Sequence, residues 1–144
     1  MSQISVEEMK NAQEAFGELI KTEEERIERM KASEQVKDFS KLIRIKVGIL
    51  PGDGVGPILM EQALRVLKEL VKPEILSGKI ELHNIEGMTI ENRVEKMQSL
   101  PDEVLEEVKK CDVLLKGPMV TPRAGDGLPN LVSANSLLRR NLEL

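Results

Sequence analysis

ILPGDGVGPILMEQALRVL, residues 49–67, runs an apolar β-like segment into three alternate glycines, a proline and an apolar helical repeat. Upstream, Ile43, Ile45, Val47 and Ile49 alternate with polar or small residues, the period-two pattern of a strand. Downstream, Leu59, Met60, Ala63, Leu64, Leu67, Leu70 and Val71 recur at helical spacing as far as Pro73 and predict one buried stripe. Pro57 falls in the first helical turn, where its fixed φ and missing N–H cost least. The stretch is therefore strand, glycine turn, helix. It is not the dinucleotide fingerprint G-x-G-x-x-G, because Gly56 arrives one residue too early to serve as the glycine that packs helix on strand. The spacing alone leaves the role of the turn open, although its glycines allow positive φ and close approach of backbone.

Working outward, a second strand is expected from Lys79 to Ile85 after the Ser77-Gly78 turn. A second helix opens at Pro101-Asp102-Glu103, whose acids suit the positive end of its dipole, and buries Val104, Leu105 and Val108. Val113-Leu114-Leu115 reads as a short strand covered on both faces, and residues 120–132 as a long loop rich in Gly and Pro. The order β-α-β-α-β argues for an α/β fold with a parallel-type sheet and flanking helices. Ahead of it, Ser5-Val6-Glu7-Glu8 forms a capping box, and Met9, Ala12, Phe16, Leu19, Ile20, Ile27 and Met30 predict a helical extension over residues 6–35, in one piece or two. The extension either packs on its own domain or serves as a docking arm. Residues 1–40 and 41–144 are the expected division.

Composition narrows the function. With 40% hydrophobic and 32% charged residues and no long apolar run, the chain reads as globular, with no membrane span. One cysteine and an acidic start without an apolar leader point to a reducing cytoplasm. Residues 1–40 hold six Lys/Arg against ten Asp/Glu, and the remainder balances fifteen of each. With no basic excess and only two aromatic side chains, Phe16 and Phe39, nucleic-acid binding has no electrostatic or stacking basis.

His83 and Cys111 are each alone of their kind, so neither a zinc site nor a Cys/His nucleophile can be assembled from them; both read as structural. Asp102, Glu103, Glu106 and Glu107 read as dipole partners and solvated face rather than metal ligands. In LVSANSLLRRNLEL, Ser133 is a good N-cap, while Asn135 and Arg139 are four apart on the helix that follows. Beside a helix N-terminus these side chains could receive a carboxylate. From spacing alone a capped surface helix with an exposed arginine is the simpler reading, since S-x-N-x-x-x-R has no physical uniqueness.

The combination of G-D-G-V-G-P after a first strand, then LPDEVLEEVKKCDVLLKGP, then T-P and SANSLLRRNLEL, resembles the isocitrate/isopropylmalate dehydrogenase family over residues 43–144. Lys116-Gly117-Pro118 and Thr121-Pro122 look more like the isocitrate branch. The resemblance implies a partial fold of that family. Ser133, Asn135 and Arg139 would bind carboxylates of a malate-type substrate, and Lys116 and Thr121 would line the cofactor side, where substrate meets nicotinamide. It implies oxidation of a 2-hydroxy acid by NAD or NADP with Mg²⁺ or Mn²⁺, followed by decarboxylation, and a homo-oligomer in the complete enzyme. The family's catalytic tyrosine and lysine and its metal-binding aspartates lie beyond the matched region. This chain has no tyrosine, so no catalytic residue and no metal ligand is assigned to it. The expectation is the N-terminal part of such an enzyme, inactive by itself, either a gene fragment or one half of a split enzyme completed by a second chain. Alternatives are a non-catalytic carboxylate-binding or regulatory subunit, and an inactive gene fragment.

Overall fold

The computed structural model describes residues 5–32, 37–123 and 125–144, which divide into two compact units, Met1–Ser40 and Lys41–Leu144. The first unit is dominated by one continuous helix, α1 (Val6–Ala32), followed by a single 3-10 turn at Phe39–Lys41. The capping box forms as its sequence requires. The Glu8 backbone N–H donates to Ser5 Oγ at 3.1 Å, and the Ser5 N–H donates to Glu8 Oε2 at 2.7 Å. These bonds to Ser5 hold the Glu8 carboxyl below its usual pKa. The acidic stretch Glu23–Arg26 does not interrupt the helix; the expected end at residue 35 lies outside the described residues.

The second unit is a three-stranded parallel sheet, β1 (Ile45–Leu50), β2 (Ile80–Asn84) and β3 (Val113–Lys116), in the order β2-β1-β3. In the register Val47 lies beside both Leu82 and Val113, and Leu50 beside Lys116. Ile43, expected in the first strand, lies just outside it and is exposed. The β1–β2 connection is α2 (Gly56–Leu70) and α3 (Lys72–Leu76). The β2–β3 connection is α4 (Ile90–Glu95) and α5 (Asp102–Lys109); α6 (Ala134–Asn141) follows β3. Because the first crossover steps to one side of β1 and the second jumps across it, right-handed connections place their helices on opposite faces. On one face Leu50 packs with Ile85, Val104, Val108, Ala134 and Leu138 in the main core, with Leu114 against it. Val47, Val113 and Leu115 point to the other face, beside α2.

Two expectations for α2 are corrected. Of its predicted stripe only Met60 is buried; Leu64, Leu67 and Val71 are half-buried, and Leu59, Ala63 and Leu70 are exposed. Three short strands give α2 a platform too narrow to cover the whole stripe. Nor does Pro73 simply stop the helix: the chain turns at Val71, and Pro73 sits in the first turn of α3, where its missing N–H is tolerated. α4 was not foreseen at all. The long segment between Lys116 and Ala134 contains no helix or strand among the described residues, as its Gly/Pro content predicts.

Candidate functional site

In a parallel sheet the free space for a ligand lies beyond the carboxyl ends of the strands, above all where the chain leaves neighbouring strands in opposite directions. Here that point is between the ends of β1 and β3, and the glycine turn occupies it. Gly117 N–H donates to Leu50 O and Asp53 N–H to Pro118 O, both at 2.8 Å. The crossing is tight enough to exclude side chains. A Cβ on Gly52, whose φ is +82°, would fall 2.1 Å from Pro118 O, and one on Gly117 would fall 2.0 Å from Pro51 O. The turn's surfaces and two of its amide contacts are thus committed to the chain's own backbone, which explains in physical terms why its spacing departs from the dinucleotide fingerprint.

Asp53, within that turn, is the pin of the region. Its Oδ1 accepts from Ile90 N–H at 2.6 Å, and its Oδ2 accepts from Val120 N–H at 2.9 Å and from Arg93 Nη2 at 2.7 Å. The same Nη2 also donates to Val120 O at 2.8 Å. Arg93 is fully buried, and its Nε and Nη1 find no partner among the described residues. One carboxylate therefore ties the first turn, the start of α4 and the segment after β3. Sequence reasoning missed this pair, because Arg93 and Asp53 are forty residues apart and neither lies in an apolar pattern.

Five side chains expected to meet the substrate or cofactor lie along one stretch from the end of β3 to α6. Lys116 is the last residue of β3, exposed, with Nζ donating to Gly117 O at 3.1 Å. Thr121 is exposed in the following segment. Ser133 caps α6, its Oγ accepting from Ser136 N–H at 3.4 Å. Asn135 is half-buried, and its Oδ1 is buried without a partner. Arg139 is exposed, with no ion pair among the described residues. Ala134 and Leu138, buried in the core, fix the rotation of α6, so Asn135 and Arg139 share the flank next to them. A separate hollow of about 280 Å³ at the carboxyl end of β1 and β2, lined by Gly52, Pro57, Gly87, Thr89 and Asn92, includes none of these five.

Two residues set aside from chemistry keep structural roles. His83 Nε2 lies 3.1 Å from Glu107 Oε2, and the Cys111 thiol, 3.4 Å from Glu107 O, is pushed to higher pKa by burial. Hydrogen bonds from Lys110 first and His83 second hold the Glu107 carboxyl below its usual range. Among the described residues no three His, Cys, Asp or Glu side chains are grouped so as to hold a metal ion. The buried Asp53 carboxylate is already engaged by three protein groups, so the described residues do not fit a metal site. No described helix is long and apolar enough to cross a membrane.

The sequence pattern of the family described as isocitrate/isopropylmalate dehydrogenase matches residues 46–144. The chain belongs to that family. It is 42% identical to a 3-isopropylmalate dehydrogenase of Candida boidinii over 88 residues, covering 60% of this chain and 23% of the relative. It is 35% identical over 98 residues to the mitochondrial regulatory subunit 2 of isocitrate dehydrogenase [NAD] of Arabidopsis thaliana, covering 68% and 22%. A β-decarboxylating dehydrogenase of Thermococcus kodakarensis, solved in its apo form, superposes with a TM-score of 0.56 at 31% identity, over 69% of this chain and 27% of that one. The chain thus spans about a quarter of the length of the relatives it matches. 3-Isopropylmalate dehydrogenases recur among them, so family membership does not carry the expected isocitrate branch with it. The helical extension lies outside the matched residues.

Proposed function

We propose that residues 41–144 form the N-terminal part of an NAD(P)-dependent oxidative decarboxylase of a malate-type 2-hydroxy acid, and that α6 presents the carboxylate-binding face. The observation that carries this reading is the guanidinium of Arg139, exposed and without an ion pair among the described residues, on the flank of α6 that follows the Ser133 cap. A carboxylate suits that group, accepting two parallel bonds from Arg139. Ser133 Oγ accepts from the helix backbone, which leaves its own hydrogen free to donate to the same carboxylate. Lys116, at the end of β3, and Thr121, in the segment after it, would line the side where the nicotinamide lies, as the family resemblance implies.

This chain's share of the reaction is binding and orientation. When bound, the nicotinamide supplies the hydride acceptor; two exposed side chains do not hold a dinucleotide by themselves, and no step is assigned to them. The chain contains no tyrosine to act as the family's proton donor, and its described residues hold no metal cage. Mixed alone with NAD or NADP, Mg²⁺ and isocitrate or 3-isopropylmalate, it is expected to yield no reduced nicotinamide, a second chain supplying the missing groups in the working enzyme. A non-catalytic carboxylate-binding subunit is the second reading, favoured by the similarity to a regulatory subunit.

Calorimetry with the full chain tests the binding face. Isocitrate or 3-isopropylmalate should bind, with affinity falling roughly tenfold or more in Arg139→Ala through loss of a charge-assisted bidentate contact. Equal heats for the wild type and Arg139→Ala, or no binding of either acid, would overturn the assignment. Preference between the two acids reports the third substituent: a carboxylate preference returns the chain to the isocitrate branch.

A further inference from the structure

α1 lies outside the family match, and every one of its residues is exposed except Arg26, which is half-buried. Its apolar residues follow a stricter rule than amphipathicity. Taking Val6 as position a of a heptad, the a positions are Val6, Gln13, Ile20 and Ile27, and the d positions are Met9, Phe16, Glu23 and Met30. Six of these eight positions are apolar, the exceptions being Gln13 and Glu23, along a helix of 27 residues that is about 40 Å long. Three of four a positions are β-branched. A seam of this kind matches the seam of another helix.

We propose that α1 pairs with α1 of a second copy of this chain as an antiparallel coiled coil. The two polar seam residues choose both partner and direction. In a parallel pair in register, Gln13 would meet Gln13, but Glu23 would meet Glu23 and place two carboxylates in one layer. Arg26 at position g would also approach Lys31 at e of the other copy. Turned antiparallel, with Val6 opposite Met30 of the second copy, Gln13 falls opposite Glu23 in two symmetric layers, and the amide donates to the carboxylate. Every other layer is apolar: Val6 with Met30, Met9 with Ile27, Phe16 with Ile20. The flanks agree, since the same alignment brings Lys10 beside Glu24 twice, both at e positions, and Leu19 beside Leu19. The like-charge contact of Arg26 with Lys31 is thereby lost and the opposite-charge contact of Lys10 with Glu24 gained.

Two features of the helix fit the pairing. Glu23 Oε2 is already held by Arg26 Nη1 at 3.0 Å, so the seam carboxylate carries its own counter-charge into the layer. Gly17 interrupts an otherwise strong helical sequence, yet a Cβ there would meet nothing within 4 Å. Nothing within the helix calls for a glycine at that position. In the antiparallel alignment Gly17 of each copy falls at the two-fold axis, leaving room beside the two Phe16 rings.

The full chain should sediment as a dimer at micromolar concentration. Ile20→Lys, at a central layer, should raise the dissociation constant roughly a hundredfold, with far-ultraviolet circular dichroism checking that the 41–144 unit remains folded. Lys10→Glu and Glu24→Lys should each weaken the dimer, and the double exchange should restore it, a rescue that loss of helix cannot imitate. Direction is read by disulfides in a Cys111→Ser background. Chains carrying Val6→Cys and Met30→Cys, mixed and oxidised, should give the heterodimer, because like cysteines stand about 36 Å apart along the antiparallel axis. A monomer at all concentrations, homodisulfides in place of the heterodisulfide, or a double exchange that fails to restore pairing would each overturn the proposal.

Discussion

Asp53 shows how a single side chain can tie distant segments together. Its carboxylate accepts from Ile90 N–H, Val120 N–H and Arg93 Nη2, so the glycine turn is fixed to the start of α4 and to the segment after β3. Removing it leaves a fully buried guanidinium, which already has two orphan nitrogens, and two orphan amides. Asp53→Ala is expected to cost about 3–5 kcal/mol, the range for breaking a buried ion pair from one side. Arg93→Met should cost clearly less, because the carboxylate keeps its two backbone donors and the two unpaired nitrogens disappear with the side chain. Urea unfolding of the two variants gives the order, and an Arg93→Met loss equal to that of Asp53→Ala would contradict it. Cys111 gives a milder test at the same scale. Burial raises its thiol pKa, so less of it is thiolate at pH 8 than in an unfolded chain, and its reaction with a disulfide reagent should be slower in the native protein than in urea.

At the scale of the element, legibility followed periodicity. β1, α2 and α5 were visible because each repeats apolar residues at the spacing of its own geometry, β2 and β3 as short segments after a turn or an apolar run, though β3 is not covered on both faces, and α6 through its cap at Ser133, which like the capping box at Ser5 is local chemistry that needs no tertiary context. α4 was invisible for the opposite reason. Ile90–Glu95 reads IENRVE, without an apolar stripe, and its one buried side chain is an arginine. What holds it is a cap, Thr89 Oγ1 accepting from Asn92 N–H at 3.4 Å, and the distant Asp53 on Ile90 N–H. Thr89→Ala should therefore destabilise the 41–144 unit by about 1 kcal/mol, the usual value of a lost N-cap, a shift that chemical denaturation can resolve. The candidate site was legible only as a set of residue types on one helix. Spacing placed Asn135 and Arg139 together, but that Asn135 would keep an unsatisfied oxygen depends on how Ala134 and Leu138 seat α6 in the core, which no local pattern states.

The whole second unit has one finished face and one unfinished one. Leu50, Ile85, Val104 and Leu138 close the side under α5 and α6. On the side of α2, a hollow of about 590 Å³ is lined by ten apolar residues, among them Val47, Ala63, Val66, Leu67 and Val113, with Val66 62% and Leu70 74% exposed. Exposed apolar surface of that extent is unusual for a chain acting alone and suits one that spans a quarter of its relatives' length. Water is a poor filler for such a hollow, since its lining offers few hydrogen bonds. A dye that brightens in apolar surroundings, such as anilinonaphthalene sulfonate, should bind the native chain. The double variant Val66→Glu with Leu70→Glu should lose most of that signal. Because both side chains are already in solvent, each substitution should shift stability by no more than about 0.5 kcal/mol. Dye fluorescence unchanged in the double variant would mean that the hollow is already filled in solution, whereas a large loss of stability would mean that α2 packs more tightly than its exposure indicates.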